Sequence, residues 1–303
     1  SNFNKLLSYQ WFGIDGDREW SGIHYAEWLL PESKNRLSLD EWLAKALMDG
    51  FKNRKWPEHV VLASHYTPAE MSVVKGFDKL KYRIDLVQGS NYASIQRPFK
   101  AKCYDKSNNK HEVWVTLMDS MLLAPPDALS LAALGELLGF PKVELPDGFS
   151  KNDMRDFQIK EPELFEEYAI RDAEITARYI KRIELECGDL GLDTYRPVTV
   201  GSLAVKTLLK KLTDDGVDYD AVMGVEKKSV KIDKHSESKR TYKNKLAERH
   251  EDLAIKSYHG GRNECFLFGF HDGLFTDWDL EGAYSTALAA YVEPDFDELK
   301  ETT

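Results

Sequence analysis

Through residues 1–187, short apolar runs bounded by turn signals alternate with stretches whose apolar residues recur at helical spacing. That alternation constrains the fold more than any other property of the chain. Strand and helix taken in turn build an α/β unit on a mixed sheet flanked by helices. Leu6-Leu7 and Trp11-Phe-Gly-Ile14 flank Asp15-Gly16-Asp17, and Asp-Gly is a strong hairpin signal, so residues 5–29 read as two strands and a turn. Ser38-Leu-Asp-Glu41 has the form of a capping box and opens a helix to about Asp49, with Gly50 as its stop. Val60–Ala63 reads as a short buried strand, and Pro68 sits in the first turn of a helix that starts at Thr67. Strands follow at 92–95, 99–104 and 112–118, the last two separated by the turn 106–109. Helical spacing returns at 129–138, 161–187 and 201–213. Residues 226–250 are dominated by charge and read as a loop followed by a polar helix.

The formal net charge of −10 excludes a protein whose whole surface binds phosphate backbones. Local basic grooves and acidic metal-holding clusters stay compatible with it. Cys103, Cys187 and Cys265 are far apart and odd in number, which gives neither a disulfide framework nor zinc spacing, and points to a reducing compartment. No apolar run reaches the length of about 18 residues that a membrane span needs. Tryptophan and tyrosine are plentiful but scattered along the chain, so no base-stacking platform is read from the sequence. The lysines of 226–250 could track a nucleic-acid backbone, although a solvated linker accounts for them more simply.

Several constellations could carry chemistry. In Tyr168-Ala-Ile-Arg-Asp172, helical spacing of four puts the phenol and the carboxylate on one face. A nuclease can hold a divalent metal on such an acid and position the attacking water with such a phenol. Core packing of Tyr168 and an ion pair at Asp172 would equally explain the pair. His65-Tyr-Thr-Pro-Ala-Glu70 follows a strand directly, at a sheet edge where α/β active sites tend to lie. Glu70 can ligate a metal through oxygen, or it is simply a first-turn acid favoured by the helix dipole. Met118-Asp119-Ser120, at the end of the strand 112–118, resembles the Asp-Thr/Ser segment of DEDD-type exonucleases, which implies an architectural role for Asp119. Asp15 and Asp17 are an early candidate pair of metal-holding acids, but their Asp-Gly reads as a turn. Gly260-Gly261-Arg262 can admit a phosphate to the backbone and hold it bidentately, or can be a plain turn. Asp279, at the end of an apolar-flanked segment, is a rigid place to hold a metal ion, with Tyr284 five residues on.

Taken in order, these pieces resemble family B DNA polymerases of phages, plasmids and organelles. The segment Tyr258-His-Gly260-Gly261 resembles the Tyr-x-Gly-Gly junction between their exonuclease and palm domains. Asp279-Leu-Glu-Gly-Ala-Tyr284-Ser-Thr resembles the first palm motif, with Gly282, Ala283 and Ser285 where Ser, Leu and Pro are usual. The resemblance implies a ribonuclease-H-like (DEDD-type) 3′-5′ exonuclease domain over 1–187, a helical, charged linker over 188–250, and the truncated beginning of the palm over 251–303. It implies template-directed DNA synthesis with proofreading by the intact protein. Tyr168, Asp172 and Glu70 would serve excision and Asp279 synthesis. Asp172, Glu70 and Asp279 would hold Mg2+ or Mn2+, while His65, Tyr258, Gly260, Gly261, Arg262 and Tyr284 would contact DNA or nucleotide. The implied partners are a single-stranded 3′ end, primer-template DNA, deoxynucleotides and, for protein-primed members, a terminal protein or other replication protein. The implied location is cytoplasmic, or mitochondrial for an organellar plasmid enzyme. On this reading the Asp-x-Glu strand that opens such a nuclease lies upstream of residue 1. The alternatives are a stand-alone exonuclease that uses Asp15 and Asp17, and a nucleic-acid- or protein-binding module that kept the fold and lost the metal site.

Overall fold

Gly16 adopts the left-handed conformation, with φ of +61°, and turns the chain between β1 (Ser8–Asp15) and β2 (Arg18–Tyr25). The strands pair antiparallel from Ser8↔Tyr25 to Asp15↔Arg18, the hairpin that the Asp-Gly signal predicts. A computed structural model describes residues 6–26, 36–52, 54–76, 86–89, 92–95, 98–193, 195–222, 224–231, 237–243, 255–256, 273, 286–287 and 289–290.

The hairpin is fixed to the first helix, α1 (Leu39–Gly50). The Trp20 indole donates to the Ala46 carbonyl at 2.9 Å and meets Phe51 edge-on. Gly13 and Gly50 lie so close to that indole that a methyl group on either would overlap it. Arg18 adds a hydrogen bond to the Gly50 carbonyl at 2.8 Å. The capping box forms as expected: Ser38 Oγ accepts from the Glu41 amide, and Glu41 Oε2 accepts from the Ser38 amide.

β3 (His59–Ser64), β6 (Phe99–Tyr104) and β7 (Lys110–Asp119) form a three-stranded sheet in the order β3-β7-β6. β3 runs parallel to β7, and β6 antiparallel to it. Between them in sequence come α2 (Thr67–Ser72) and a short ribbon of β4 (Leu86–Gly89) and β5 (Tyr92–Ile95). Alternation decides the faces. Val113, Val115 and Leu117 of β7, with Phe99, Ala101 and Cys103 of β6, bury against Leu39, Leu43 and Leu47 of α1. The other face is covered at the far end of β7. There Met118 packs with Leu123 of α3 (Ser120–Leu123), Leu134 of α4 (Leu131–Leu138) and Ile175, Tyr179 and Ile183 of a long helix. That helix, α6 (Pro162–Asp189), follows α5 (Met154–Lys160) and packs on β1, β2 and β3 together. Arg178 of α6 grips Glu19 of β2 through two contacts of 2.8 Å. Phe157, Phe165 and Ala169 make a third cluster where α5 meets α6.

The mixed α/β architecture agrees with the alternation of signals. The single sheet of the expected nuclease fold does not appear among the described residues: the β1-β2 ribbon and the three-stranded sheet share α6 but are not hydrogen-bonded to each other. The chain continues through α7 (Val200–Asp214) and α8 (Tyr219–Val222). The 226–250 reading needs correction, because β8 (Val225–Lys231) pairs with β9 (Glu237–Lys243) where a loop and a polar helix were expected. Valine, threonine and tyrosine among the charges favour a strand over a helix. By its contacts the chain divides into residues 1–227 and 228–303. Among the described residues, no helix is long and apolar enough to cross a membrane.

Candidate functional site

β3 and β7 end side by side, at Ser64↔Asp119, and the chain leaves both ends towards one site. Asp119 organises this junction. One carboxylate oxygen accepts from the amides of Tyr66 (3.1 Å) and Met121 (2.9 Å), and the other from the amide of Thr67 (2.7 Å). It therefore caps α3 and fixes the start of α2, which is the architectural role expected of it. Tyr66 takes a left-handed φ of +70°, unusual for a tyrosine, so the chain turns sharply between His65 and Thr67. The His65 ring is held by Ser120 Oγ at 2.9 Å from Nδ1, and Ser120 is fully buried.

Glu70 on α2 and Asp172 on α6 face a common groove of about 690 Å3 that also takes in Ser64, His65, Lys142 and Thr176. One wall of the groove is β1, from Ser8 to Asp15; another is β3. A second groove, about 760 Å3, is lined by Tyr66, Leu145 and Tyr168 and shares His65, Leu131 and Lys142 with the first. Those three side chains therefore stand between the acidic groove and a more apolar one. Tyr168 is half-buried, edge-on to Phe157, one helical turn before Asp172.

Lys142 is the residue that the motif reading passed over. Its Nζ lies 2.9 Å from Asp172 Oδ2 and 5.2 Å from the centre of the Tyr168 ring. Its place at the end of Gly139-Phe-Pro-Lys142 carries no motif, and it lies thirty positions before Asp172. The other carboxylate oxygen of Asp172, Oδ1, is buried with no hydrogen-bond partner among the described residues. A buried anionic oxygen without a donor is costly, and a cation is the natural remedy.

The electrostatics run the same way. Burial raises the Asp172 carboxyl above its ordinary range, against the opposing pull of Lys142, His65 and Lys151. The enclosing protein, then the negative charges of Asp172 and Asp119, raise Glu70 as well. Glu70 is nonetheless solvent-exposed, so water screens these effects. Burial lowers His65, and Lys142 adds to that against the pull of Asp119 and Asp172, so the imidazole is neutral at neutral pH.

The structure thus brings together His65, Glu70, Tyr168 and Asp172, and adds Lys142. Asp15 lines the same groove, but its carboxylate is taken by Arg18 at 2.6 Å at the hairpin tip. Asp17 is exposed in the turn. Among the described residues no three His, Cys, Asp or Glu side chains are grouped to hold a metal ion. Asp172 and Glu70 face one groove, and the described residues add no third acid to them as a metal-holding group. Tyr258, Gly260, Gly261, Arg262, Asp279 and Tyr284 lie outside the described residues.

The chain is similar to a curated protein over nearly all of its own length. The primer-independent DNA polymerase PolB of Escherichia coli is 30% identical over 329 aligned positions, which cover 98% of this chain and 37% of the relative. The chain therefore spans just over a third of that relative's length. No family model and no solved structure matches it.

Proposed function

We propose that this chain, a relative of a DNA polymerase over nearly its whole length, is the 3′-5′ exonuclease-like portion of a family B enzyme with the beginning of its palm. The observation that carries the nuclease half is the buried, unpartnered Oδ1 of Asp172, in a groove shared with Glu70 and one helical turn from Tyr168. The order of elements supports the same reading: a parallel strand pair ending at the site, a Leu-rich helix on its far face, and the long helix that bears Tyr168 and Asp172.

Asp172 and Glu70 would hold Mg2+ or Mn2+, whose chemistry is to lower the pKa of water and neutralise charge on a phosphate. Tyr168 orients water from the apolar side of the site. Lys142 keeps Asp172 ionised against its burial and offers a cation to a phosphate oxygen. His65, neutral and fixed by Ser120, donates or accepts a hydrogen bond without adding charge. Two acids do not complete a two-metal nuclease. The groove wall between β1 and β3, whose facing edges pair with no strand among the described residues, has room for an extended segment that brings further carboxylates. In the palm segment Asp279 would bind the metal that holds an incoming triphosphate. Tyr284 would sit beneath its sugar, with Gly260, Gly261 and Arg262 on the DNA backbone. Template-directed synthesis belongs to the intact protein.

One observation favours a second reading. Lys142 Nζ already satisfies Asp172 Oδ2, the position a metal would otherwise share. A fold that has replaced its metal with a lysine would bind nucleic acid without cutting it. Digestion of a 3′-labelled single-stranded oligonucleotide in manganese, beside Asp172→Ala, separates the two. Stepwise loss of 3′ nucleotides that disappears in the variant establishes the nuclease. Retention of the oligonucleotide by both proteins, with no shortening, leaves the binding module.

A further inference from the structure

Among the described residues, helices cover the outer face of the β3-β7-β6 sheet only at one end. Towards the carboxylates, Met118, Val61 and Ala63 pack under α4 and α6. At the other end the same face is open, and alternation brings seven side chains onto it: His59 from β3, Lys110, Glu112 and Trp114 from β7, and Lys100, Lys102 and Tyr104 from β6. All seven residues are exposed. Trp114 is 43% and Tyr104 49% accessible, although aromatic rings of this size are mostly covered elsewhere in the chain.

The register fixes the arrangement. Lys100 lies across from Trp114, with its ammonium 5.1 Å from the ring centre, and Tyr104 lies across from Lys110. The His59 ring sits 6.2 Å from Trp114 on the other side. Four residues along the strand and one strand across, Trp114 and Tyr104 are about 14 Å apart. The only acid among them is Glu112, and both of its oxygens are engaged, by Lys100 at 2.9 Å and Lys110 at 2.7 Å. Lys102, directly across from Glu112, has no ionic partner among the described residues. In a chain of net charge −10, this face is locally positive. Lysines on an edge strand are also a common guard against edge-to-edge pairing. That would account for β6 but not for a tryptophan and a tyrosine left in water beside them.

We propose that this open face is a binding platform for single-stranded nucleic acid. Unpaired bases stack on Trp114 and Tyr104, and the backbone between them runs along Lys100, Lys102 and Lys110. Exposed π faces flanked by cations fit unpaired bases of any sequence, whereas a duplex hides the faces of its bases. The platform lies about 17 Å along β7 from Asp119, at the end of the sheet opposite the carboxylates. It would hold nucleotides remote from any 3′ end being cut. The inference rests on nucleic acid being this protein's substrate, but not on cleavage.

The test is fluorescence anisotropy of a fluorescein-labelled oligodeoxythymidine titrated with the whole chain in EDTA, which sets metal-dependent contacts aside. Trp114→Ala should weaken binding on the order of tenfold and Trp114→Phe by much less, because a phenyl ring still stacks. Lys102→Ala should reduce the slope of log K against log salt by about 0.7. These positions are on the surface, so thermal melting of the variants should match the parent. A parent that binds the oligonucleotide while the Trp114 and Lys102 variants bind equally well overturns the platform and leaves the proposed function intact. A parent that digests the oligonucleotide in manganese but does not bind it in EDTA also overturns the platform alone. A parent that neither binds nor digests it overturns both.

Discussion

Asp172 shows how one residue's surroundings set its chemistry. Burial favours its protonated form, and Lys142 opposes that at 2.9 Å. Replacing Lys142 by methionine removes the opposing charge, so the carboxyl keeps its proton to higher pH. The acid limb of the excision profile should move upward, with a greater loss of rate at pH 6.5 than at pH 8.5. An equal loss at both would assign Lys142 to phosphate contact alone. The same groups tie stability to pH. Asp172 and Glu70 have folded pKa values above their unfolded ones, so the folded state holds these protons more tightly. Their contribution to stability is full below the ordinary carboxylate range, about pH 4, and is lost as pH rises through the raised values. Asp172→Asn should flatten that decline in a series of melting curves. Manganese competes with the protons. At a hundredfold excess over Kd it should raise Tm by about 5 °C or more at pH 8, and by much less at pH 5. Equal shifts at both pH values would place the ion elsewhere.

At the scale of elements, two junctions hold the site. Asp119 satisfies three backbone amides that start α2 and α3. Asp119→Ala leaves them unpaired in a mostly buried place and should cost about 2–4 kcal/mol in urea unfolding. A loss below about 1 kcal/mol would mean that water replaces the carboxylate freely. Gly135 lets α4 approach the helix that carries Asp172: a Cβ there would lie 2.7 Å from the Phe140 carbonyl oxygen and 3.1 Å from Ile175 Cδ1. Gly135→Ala should destabilise by about 1–3 kcal/mol, despite alanine's better helix propensity, because backbone cannot yield as a side chain can. Stability gained in place of lost would show that α4 shifts at little cost.

Elements with local signals were legible in the sequence. Asp15-Gly16 sets its own hairpin, Ser38 and Glu41 cap each other three residues apart, and the 3–4 spacing from Phe165 to Cys187 marks a helix by itself. Features made by distant residues were not legible. Lys142 meets Asp172 only because α4 turns back over α6. Tyr104 and Trp114 share a face only through a strand register that no spacing rule reveals. In β8 and β9 the charge count masked the β-branched positions. His65, Glu70, Tyr168 and Asp172 were readable because each sits at an element end or at helical spacing. Their convergence in one place was not.

Across the whole molecule, acidic and basic surfaces lie at opposite ends of one sheet in a chain that is acidic overall. Salt should therefore weaken the binding of a single strand more than it weakens the fold, since Debye screening reaches exposed lysines before buried contacts. Anisotropy and thermal melting between about 0.05 and 0.3 M salt would show this, and parallel loss of both would tie the two together. The Trp20 clamp acts on a different axis, that of time. Its partners Gly13, Ala46, Gly50 and Phe51 all lie early in the chain and near one another in sequence, whereas β3 must wait for residues 110–119 to find its parallel mate. Short loops close at less entropic cost than long ones. On a ribosome the clamp is complete once Phe51 has emerged, so one wall of the groove can be standing before Asp172 has been translated.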